Sequence, residues 1–307
     1  MKQDLFGRVR LGYVLVESRR RDAWRKFGHE GLGLHVDELD SGVLAFRLDT
    51  HERRIIVHPG DAEDVVAIGF QVDDEDALAE IAARLRARQV SVTQGSAEEA
   101  RLRGVHAFSA FEGPRRQVME LFTRPRLSEQ PLQQKGGGFV AGASGLGHLA
   151  ILSQAPEAFE AFWMDIFDAR LSDRIEDRIG KQVMDFAFLR LNERHHSIAI
   201  ASTRGKRMNP IRASVHHFAI EAARFEDVVD AYRRCRKQGW EIANAIGQHP
   251  NDKEMSFYVV TPSGFEMELG FDQMRVDEAH WQTALHQGIS LWGHFKENRS
   301  KTGELKQ

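Results

Sequence analysis

The segment SGLGHLAILS at residues 144–153 repeats the segment RLGYVLVES at residues 10–18. Both are short runs rich in apolar residues, which is typical of β-strands. A strand that returns so far along the chain indicates two copies of one structural unit. The copies differ at one polar position, where the first has Tyr13 and the second has His148. The repeat therefore predicts a common scaffold on which the second copy carries different chemistry.

The same order of elements surrounds each copy. A predicted strand is followed by a helix, in which apolar residues recur at helical spacing, and then by short alternating segments such as VLAFRLD and VMDFAFLRLN. The leading strands are predicted at 10–17, 65–72, 146–153 and 215–222, and the helices that follow them at 21–27, 75–89, 156–167 and 225–238. The sequence therefore predicts an α+β protein in which one unit occurs four times.

The chain has 307 residues, which is enough for two domains that each bury a core. Residues 128–145 gather Gln, Ser and three consecutive glycines without a sustained apolar period, which is typical of a linker. We expect an N-terminal domain at 1–130, a linker at 131–144, a C-terminal domain at 145–275 and a tail at 276–307.

The composition excludes several classes of partner. The formal net charge of −3 gives no electrostatic reason to expect nucleic acid, and the chain has no uncharged apolar stretch of membrane-spanning length. The single cysteine, Cys235, lies in a predicted helix and cannot form an internal disulfide. We therefore expect a soluble, cytoplasmic protein in which Cys235 is a buried structural thiol.

Three positions of the repeat combine into a candidate metal site. The aligned pairs, first half before second, are Tyr13 with His148, Ala67 with His217, and Glu120 with Glu268. The second half therefore offers two imidazoles and one carboxylate, the ligand set of non-haem Fe(II) oxygenases. Because the chain has 14 histidines, most of them are expected in the core or on the surface, and the choice of these two rests on the repeat.

Strand alternation supports the same three residues. Successive side chains of a strand point to opposite faces, and His148, His217 and Glu268 each lie opposite the bulky apolar residues of their strands. Adjacent residues diverge, so His216 is excluded as a co-ligand of His217. Glu266 shares the face of Glu268, and only the repeat favours Glu268.

The segment GQHPNDKEMSFYVVTPSGFEMELG at residues 247–270 resembles the signature of the type I extradiol ring-cleavage dioxygenases, in the vicinal oxygen chelate superfamily. GLGHLAILS, LNERHHSIAIA and VHHFAIE also resemble segments of this family. The resemblance implies two βαβββ modules per domain in a glyoxalase-like fold, a metal-free first domain and a catalytic second domain. It also implies a homo-oligomer and a small aromatic diol as substrate.

Residue roles follow from the resemblance position by position. It implies that the metal is Fe(II), with Mn(II) a less common choice, and that O2 is the co-substrate. His148, His217 and Glu268 would bind the metal, His196 would be the acid/base, and His249 and Tyr258 would hydrogen-bond the substrate, supported by Asn251 and Asp252.

Two features of the site stay open in the sequence. Strand alternation places His195, with its small neighbours Ser197 and Ala199, on the ligand face, whereas the resemblance selects His196. The pocket wall is predicted by position at Phe188, Ala150, Ala201, Thr203 and His216. The small Ala150 and Ala201 favour a bicyclic or bulky catechol such as 2,3-dihydroxybiphenyl.

Two other functions compete with ring cleavage. One is another metal-dependent enzyme of the superfamily, of the glyoxalase or epimerase type. The other is a non-catalytic binding protein of the bleomycin-resistance type, which the first half resembles in architecture. The tail segment 280–297 is predicted either to close over the mouth of the site or to make subunit contacts.

Overall fold

The computed structural model describes residues 3–205 and 215–297, and two mixed β-sheets form its framework. The first sheet contains β1 (Val9–Glu17), β2 (His35–Glu38), β3 (Leu44–Arg47), β4 (Ile55–His58), β5 (Asp64–Val72), β6 (Val92–Gln94), β7 (Ser109–Glu112) and β8 (Val118–Phe122). Its helices are α1 (Arg21–Arg25), a π-helical continuation (Lys26–Leu32), α2 (Glu75–Ala87) and α3 (Ala97–Arg103). The strand order is β2-β3-β4-β1-β5-β8-β7-β6.

The second sheet repeats this order. Its strands are β9 (Phe139–Val140), β10 (Leu149–Leu152), β11 (Arg170–Ile179), β12 (Gln182–Arg190), β13 (Ile198–Thr203), β14 (His217–Ala222), β15 (Ile242–Gln248), β16 (Met255–Val260), β17 (Glu266–Phe271) and β18 (Ala284–Gln287). Its helices are α4 (Pro156–Phe167), α5 (Phe225–Gln238) and a 3-10 turn (Gly142–Ser144). The order β11-β12-β13-β10-β14-β17-β16-β15 matches the first sheet strand for strand. The predicted fold of two βαβββ modules per half is confirmed.

The register of the strands also follows the sequence repeat. In the first sheet Tyr13 pairs with Gly69, and Gly69 pairs with Glu120. In the second sheet the Ala219 N–H donates to the His148 carbonyl at 2.8 Å, and Ala219 pairs with Glu268. Tyr13 and His148 therefore occupy equivalent positions, as do Glu120 and Glu268.

The helices other than α3 cover one face of each sheet and join the halves in one apolar core. Phe70 on β5 packs edgewise on Trp163 of α4, with ring centroids 5.3 Å apart. On the other side, Phe27 packs on Trp240 just beyond α5, also at 5.3 Å. The predicted buried thiol Cys235 lies in this core, and burial raises its pKa to about 12. The helix faces thus hold the two sheets together by burial of apolar surface.

The opposite face of the first sheet is filled. An apolar cluster that includes Tyr13, Phe122 and residues around α3 packs against it. Buried Glu120 accepts hydrogen bonds from the Tyr13 hydroxyl at 2.5 Å and from the Arg103 guanidinium at 2.5 and 2.6 Å. Burial and the charge of Glu120 raise the pKa of Tyr13 well above its ordinary value, so the phenol stays a neutral donor. An arginine and a tyrosine therefore satisfy the carboxylate that corresponds to Glu268.

Two segments outside the expected domains are more ordered than predicted. The expected linker contributes β9, which pairs with β14, and the expected tail contributes β18, which pairs in parallel with β11. Backbone pairing with an existing sheet edge satisfies N–H and C=O groups without an apolar period in the sequence, so periodicity did not predict these strands. Among the described helices, none is long and apolar enough to cross a membrane.

The Arg103–Glu120 pair leads to a first prediction. Arg103→Met should lower the free energy of unfolding by about 3 kcal/mol or more, because it leaves a buried carboxylate without its countercharge. The second change in Arg103→Met/Glu120→Gln removes that charge, so the double variant should recover most of the loss. Urea unfolding followed by circular dichroism measures both variants. Equal losses of unfolding free energy in the single and double variants would show that the charge pair does not stabilise this face of the sheet.

Candidate metal centre and active site

Three buried side chains converge on the open face of the second sheet. His148 directly precedes β10, His217 is the first residue of β14, and Glu268 lies in the middle of β17. The Glu268 Oε2 atom lies 3.0 Å from His148 Nε2 and 3.3 Å from His217 Nε2, and the two nitrogens are 3.3 Å apart. The exposed fractions of the three residues are 4%, 9% and 1%, respectively. The three ligand atoms thus form a compact, nearly equilateral triangle.

This triangle fits one face of a metal coordination sphere. With metal–ligand distances of about 2.1 Å, neighbouring ligands at a right angle lie about 3.0 Å apart. Although both imidazoles lie within reach, neither oxygen of Glu268 accepts a hydrogen bond of normal geometry from the described part of the chain. A buried carboxylate without such donors is stabilised by a nearby positive charge, and a metal ion held by the three ligand atoms would supply one. The donor set of two imidazoles and one carboxylate is the one that suits Fe(II) with open coordination positions.

Glycine allows His148 to reach this position. Gly147 has φ of +152°, and a Cβ atom there would lie 2.0 Å from the carbonyl oxygen of Ala219. The backbone of the segment before β10 therefore lies against β14 too closely for any side chain. The glycine of the Leu-Gly-His segment is thus a requirement of the site geometry.

The ring nitrogen of His217 that faces away from the triangle contacts His216. The two Nδ1 atoms are 2.9 Å apart. Burial, followed by the neighbouring His217, lowers the pKa of His216 to about 3, so His216 is neutral and can accept the Nδ1–H of His217. Such a hydrogen bond holds a ligating imidazole in the tautomer that presents Nε2. His216 therefore supports His217 and also lines the cavity.

A cavity of about 280 Å³ opens above the triangle. Its apolar lining residues are Ala150, Leu152, Met184, Phe186, Phe188, Ala199, Ala201 and Ile289. Its polar lining residues are His148, His196, His216, His217, Asn244, His249, Asn251, Asp252, Tyr258, Glu266, Glu268, His294 and Lys296. The apolar and polar groups suit a flat aromatic molecule with polar substituents at one edge.

The structure places the adjacent residues His195 and His196 in different surroundings. His196 lines the cavity and packs at a tilt against His148 with ring centroids 4.2 Å apart, whereas His195 is fully buried and contacts Asp173. Both residues precede β13, which begins at Ile198, so the alternation rule that favoured His195 does not apply to them. Burial, followed by the neighbouring histidines, lowers the pKa of His196 well below its ordinary value. His196 is thus a neutral imidazole beside the triangle.

His249 and Tyr258 form a hydrogen-bonded pair on the other side of the triangle. His249 Nδ1 donates to the Ile289 carbonyl oxygen at 2.7 Å, and His249 Nε2 lies 2.8 Å from the Tyr258 hydroxyl oxygen. Burial lowers the pKa of His249, but the neighbouring Glu268 outweighs it and raises this pKa to about 9, so a protonated His249 donates to the Tyr258 oxygen through Nε2. Burial and the charge of Glu268 raise the pKa of Tyr258. The phenol therefore keeps its proton.

Most of the predicted wall residues meet at the cavity, with one exception. Phe188, Ala150, Ala201 and His216 line it, and so do Asn251 and Asp252. Thr203 does not line it but borders a second cavity beside α4. The prediction that Thr203 belongs to the pocket wall was therefore wrong. Thr203 is the last residue of β13 and lies beyond the end of the main cavity.

The tail supplies the residues that the sequence did not identify. Ile289, His294 and Lys296 line the cavity, as expected of a tail that closes over the site, and the alternative that the tail makes subunit contacts stays a prediction. The His294 ring lies 4.4 Å from that of His249, and burial, followed by the charge of His249, lowers its pKa to about 4. His294 follows Gly293 outside any repeat, so the sequence contained no periodic signal for it.

Comparisons with known proteins agree with this geometry. The family model described as Glyoxalase/Bleomycin resistance protein/Dioxygenase superfamily matches residues 145–269. A second model, described as Dihydroxybiphenyl dioxygenase BphC D1, matches residues 11–60. The two matches fall on the second and the first sheet, respectively.

Similar proteins cover nearly the whole chain. A biphenyl-2,3-diol 1,2-dioxygenase of Paraburkholderia xenovorans is 36% identical, over 92% of this chain and 94% of its own. An iron-dependent extradiol dioxygenase of Rhodococcus jostii is 29% identical, over 92% and 96%. The crystal structure of 2,2',3-trihydroxybiphenyl 1,2-dioxygenase from Sphingomonas wittichii superimposes with a TM-score of 0.84 at 30% identity, covering 94% of this chain and 99% of that one. The chain therefore belongs to the extradiol ring-cleavage dioxygenases of the vicinal oxygen chelate superfamily.

Proposed function

We propose that the protein is an Fe(II)-dependent extradiol dioxygenase that cleaves the ring of a 2,3-dihydroxy aromatic and incorporates both atoms of O2. The observation that carries this proposal is the triangle of His148, His217 and Glu268 at the floor of a largely apolar cavity. The preference for Fe(II) over Mn(II) rests on the donor set and on the iron dependence named for the Rhodococcus relative. When bound, the metal supplies coordination positions for both reactants and a route for electrons between them.

His196 is the acid/base in this proposal. Its Nδ1 lies within 3.6 Å of three protein groups, His195, Asp252 and Gln273, which leaves Nε2 as the nitrogen that faces the cavity. Because the ring is neutral, Nε2 can take the proton of a diol hydroxyl and return it later to an oxygen of the opening ring. One histidine thus serves both proton transfers.

Tyr258 and His249 orient the substrate. The Tyr258 phenol keeps its proton and can donate a hydrogen bond to the diol oxygen nearest to it. A protonated His249 donates to the Tyr258 oxygen through Nε2 and to the Ile289 carbonyl through Nδ1, so the phenol proton is left for the substrate. The two residues therefore place the diol edge over the triangle.

The walls indicate the substrate class. Ala150, Ala199 and Ala201 leave space above the triangle, and Phe186 and Phe188 border that space with aromatic faces. A second aromatic ring or a bulky alkyl group on the diol would fit against these apolar residues. We therefore propose a bicyclic or substituted catechol such as 2,3-dihydroxybiphenyl.

The ligand set can be tested by metal content. Glu268→Gln should reduce bound iron, measured by mass spectrometry after loading and desalting, from about one ion per chain to below about one tenth. Glu266→Gln is the matched control, because it lies on the same strand and lines the same cavity but is not a proposed ligand, and it should keep its iron. Equal iron content in the two variants would contradict the assignment.

The reaction can be tested by oxygen uptake. The iron-loaded protein should consume O2 with 2,3-dihydroxybiphenyl and form a yellow ring-opened product. His196→Gln should keep its iron while kcat falls by about 10²- to 10⁴-fold, because general acid/base catalysis is lost. If wild-type protein with full iron content took up no O2 with dihydroxybiphenyl, catechol or alkylcatechols, ring cleavage would be rejected in favour of another activity of the superfamily.

The substrate class can be tested by narrowing the cavity. Ala201→Leu should lower kcat/KM for 2,3-dihydroxybiphenyl by about tenfold or more and for catechol by less than about threefold, because the added carbons occupy the space proposed for the second ring. Thr203→Val, outside the main cavity, should leave both values unchanged. A parallel loss for both substrates in Ala201→Leu would argue against a second ring at this wall.

A further inference from the structure

Behind the proposed acid/base lies a buried polar pair that no role described above uses. His195 Nε2 lies 2.9 Å from Asp173 Oδ2, and His195 Nδ1 lies 3.2 Å from His196 Nδ1. The exposed fractions are 1% for Asp173, 0% for His195 and 3% for His196. A carboxylate, an imidazole and a second imidazole therefore stand in line, and the last of them borders the cavity.

The order of donors in this line follows from the carboxylate. An ionised carboxylate only accepts hydrogen bonds, so when the His195 imidazole carries a single ring proton, Asp173 places that proton on Nε2. His195 Nδ1 then carries a lone pair and can only accept. His196 must donate to it through Nδ1–H, which leaves the lone pair of His196 on Nε2, the nitrogen that faces the cavity.

We propose that Asp173 and His195 are positioning residues that fix His196 in the Nδ1–H tautomer and hold its Nε2 ready to accept a proton. This inference rests on the proposed role of His196 as acid/base. The logic is that of a Ser-His-Asp triad, in which a buried carboxylate sets the tautomer of the imidazole, here with a second imidazole inserted between the two.

The other groups around His196 Nδ1 fit this tautomer. Asp252 Oδ2, at 3.6 Å, is a second acceptor and also favours Nδ1–H. Among the described residues, Gln273 Nε2, at 3.4 Å, is the donor near this nitrogen, and its amide is oriented by the hydrogen bond that Arg194 donates to Gln273 Oε1 at 3.1 Å. The protons of Gln273 can go instead to Asp252 Oδ2, at 3.5 Å. Two acceptors therefore compete with one donor that has another partner.

The backbone of His195 is held on both sides, and its ring is packed. Its backbone N–H donates to the Met274 carbonyl at 3.0 Å, and its carbonyl accepts from the Ser172 hydroxyl. Trp281 packs edgewise on the ring, with centroids 5.4 Å apart. Asp173 is fixed as well, because its Oδ1 accepts the Ala284 N–H of β18 at 2.6 Å. The geometry of the line is thus set by the strand that the tail adds to the sheet.

The contact with Ala284 makes Asp173→Asn a directed test. The Ala284 N–H requires the amide oxygen on its side, so the NH2 group takes the place of Oδ2 and donates to His195 Nε2. His195 then carries its proton on Nδ1 and donates to His196, whose own proton moves to Nε2. We expect kcat with 2,3-dihydroxybiphenyl to fall by about 10- to 100-fold, while KM and iron content stay within about twofold of wild type.

Two further variants control this result. His286→Ala removes a side chain whose Nε2 lies 3.4 Å from the same Asp173 Oδ2 without a hydrogen bond, and it should leave kcat within about twofold of wild type. His195→Phe keeps a ring against Trp281 but removes both nitrogens, and it should lower kcat as Asp173→Asn does. This second variant decides the question if Asp173→Asn does not fold.

The tautomer itself can be observed without activity. In metal-free protein with ¹⁵N-labelled histidine, long-range ¹H–¹⁵N spectra distinguish protonated from unprotonated ring nitrogens, and the His196 signals are those lost in His196→Gln. We expect protonated Nδ1 in wild type and protonated Nε2 in Asp173→Asn. Protonated Nε2 in wild type, or an unchanged tautomer with unchanged kcat in the variants, would overturn the proposal. Absence of any O2 uptake by the wild type would reject the proposed function but would leave this tautomer test standing.

Discussion

A carboxylate buried at the centre of each sheet requires a positive charge, and the rest of the structure follows from how each half supplies it. The loss of hydration of such a group costs several kcal/mol unless a partner compensates for it. In the first half, Arg103 and Tyr13 donate to Glu120. In the second half, two imidazoles approach Glu268 with their ring nitrogens, and the proposed metal ion would supply the positive charge. The same scaffold thus yields a closed polar cluster in one copy and a proposed metal site in the other.

This difference extends to the shape of each half. The guanidinium of Arg103 comes from α3, a helix for which the second half has no counterpart among the described elements. Together with the apolar residues around it, this helix fills the inner face of the first sheet. In the second half, the corresponding face has only a small cluster that includes Ala150, Phe188 and Ala199, so a cavity remains above Glu268. The open face is therefore a consequence of a missing element as much as of the ligands.

The second half also depends on segments far from its sheet centre. The tail contributes Ile289, whose carbonyl fixes His249, and β18, whose backbone fixes Asp173. The first contact orients a side chain that we place beside the substrate, and the second orients a carboxylate that we place behind the acid/base. Such partners behind the reacting groups hold them at defined angles, which loop residues alone rarely achieve. The tail is therefore part of the active site in structural terms.

The sequence alone determined the fold and the three candidate ligands. Strand alternation and the internal repeat can be read directly from the order of the residues, and they placed Glu268 rather than Glu266 at the position equivalent to Glu120. Only the tertiary structure decided which of His195 and His196 borders the cavity, because both residues lie before β13, where alternation does not apply. It also decided that Arg103 neutralises Glu120 and that the tail lines the cavity. These contacts join segments with no periodic relation in the sequence, so they arise only when the packed elements bring the segments together.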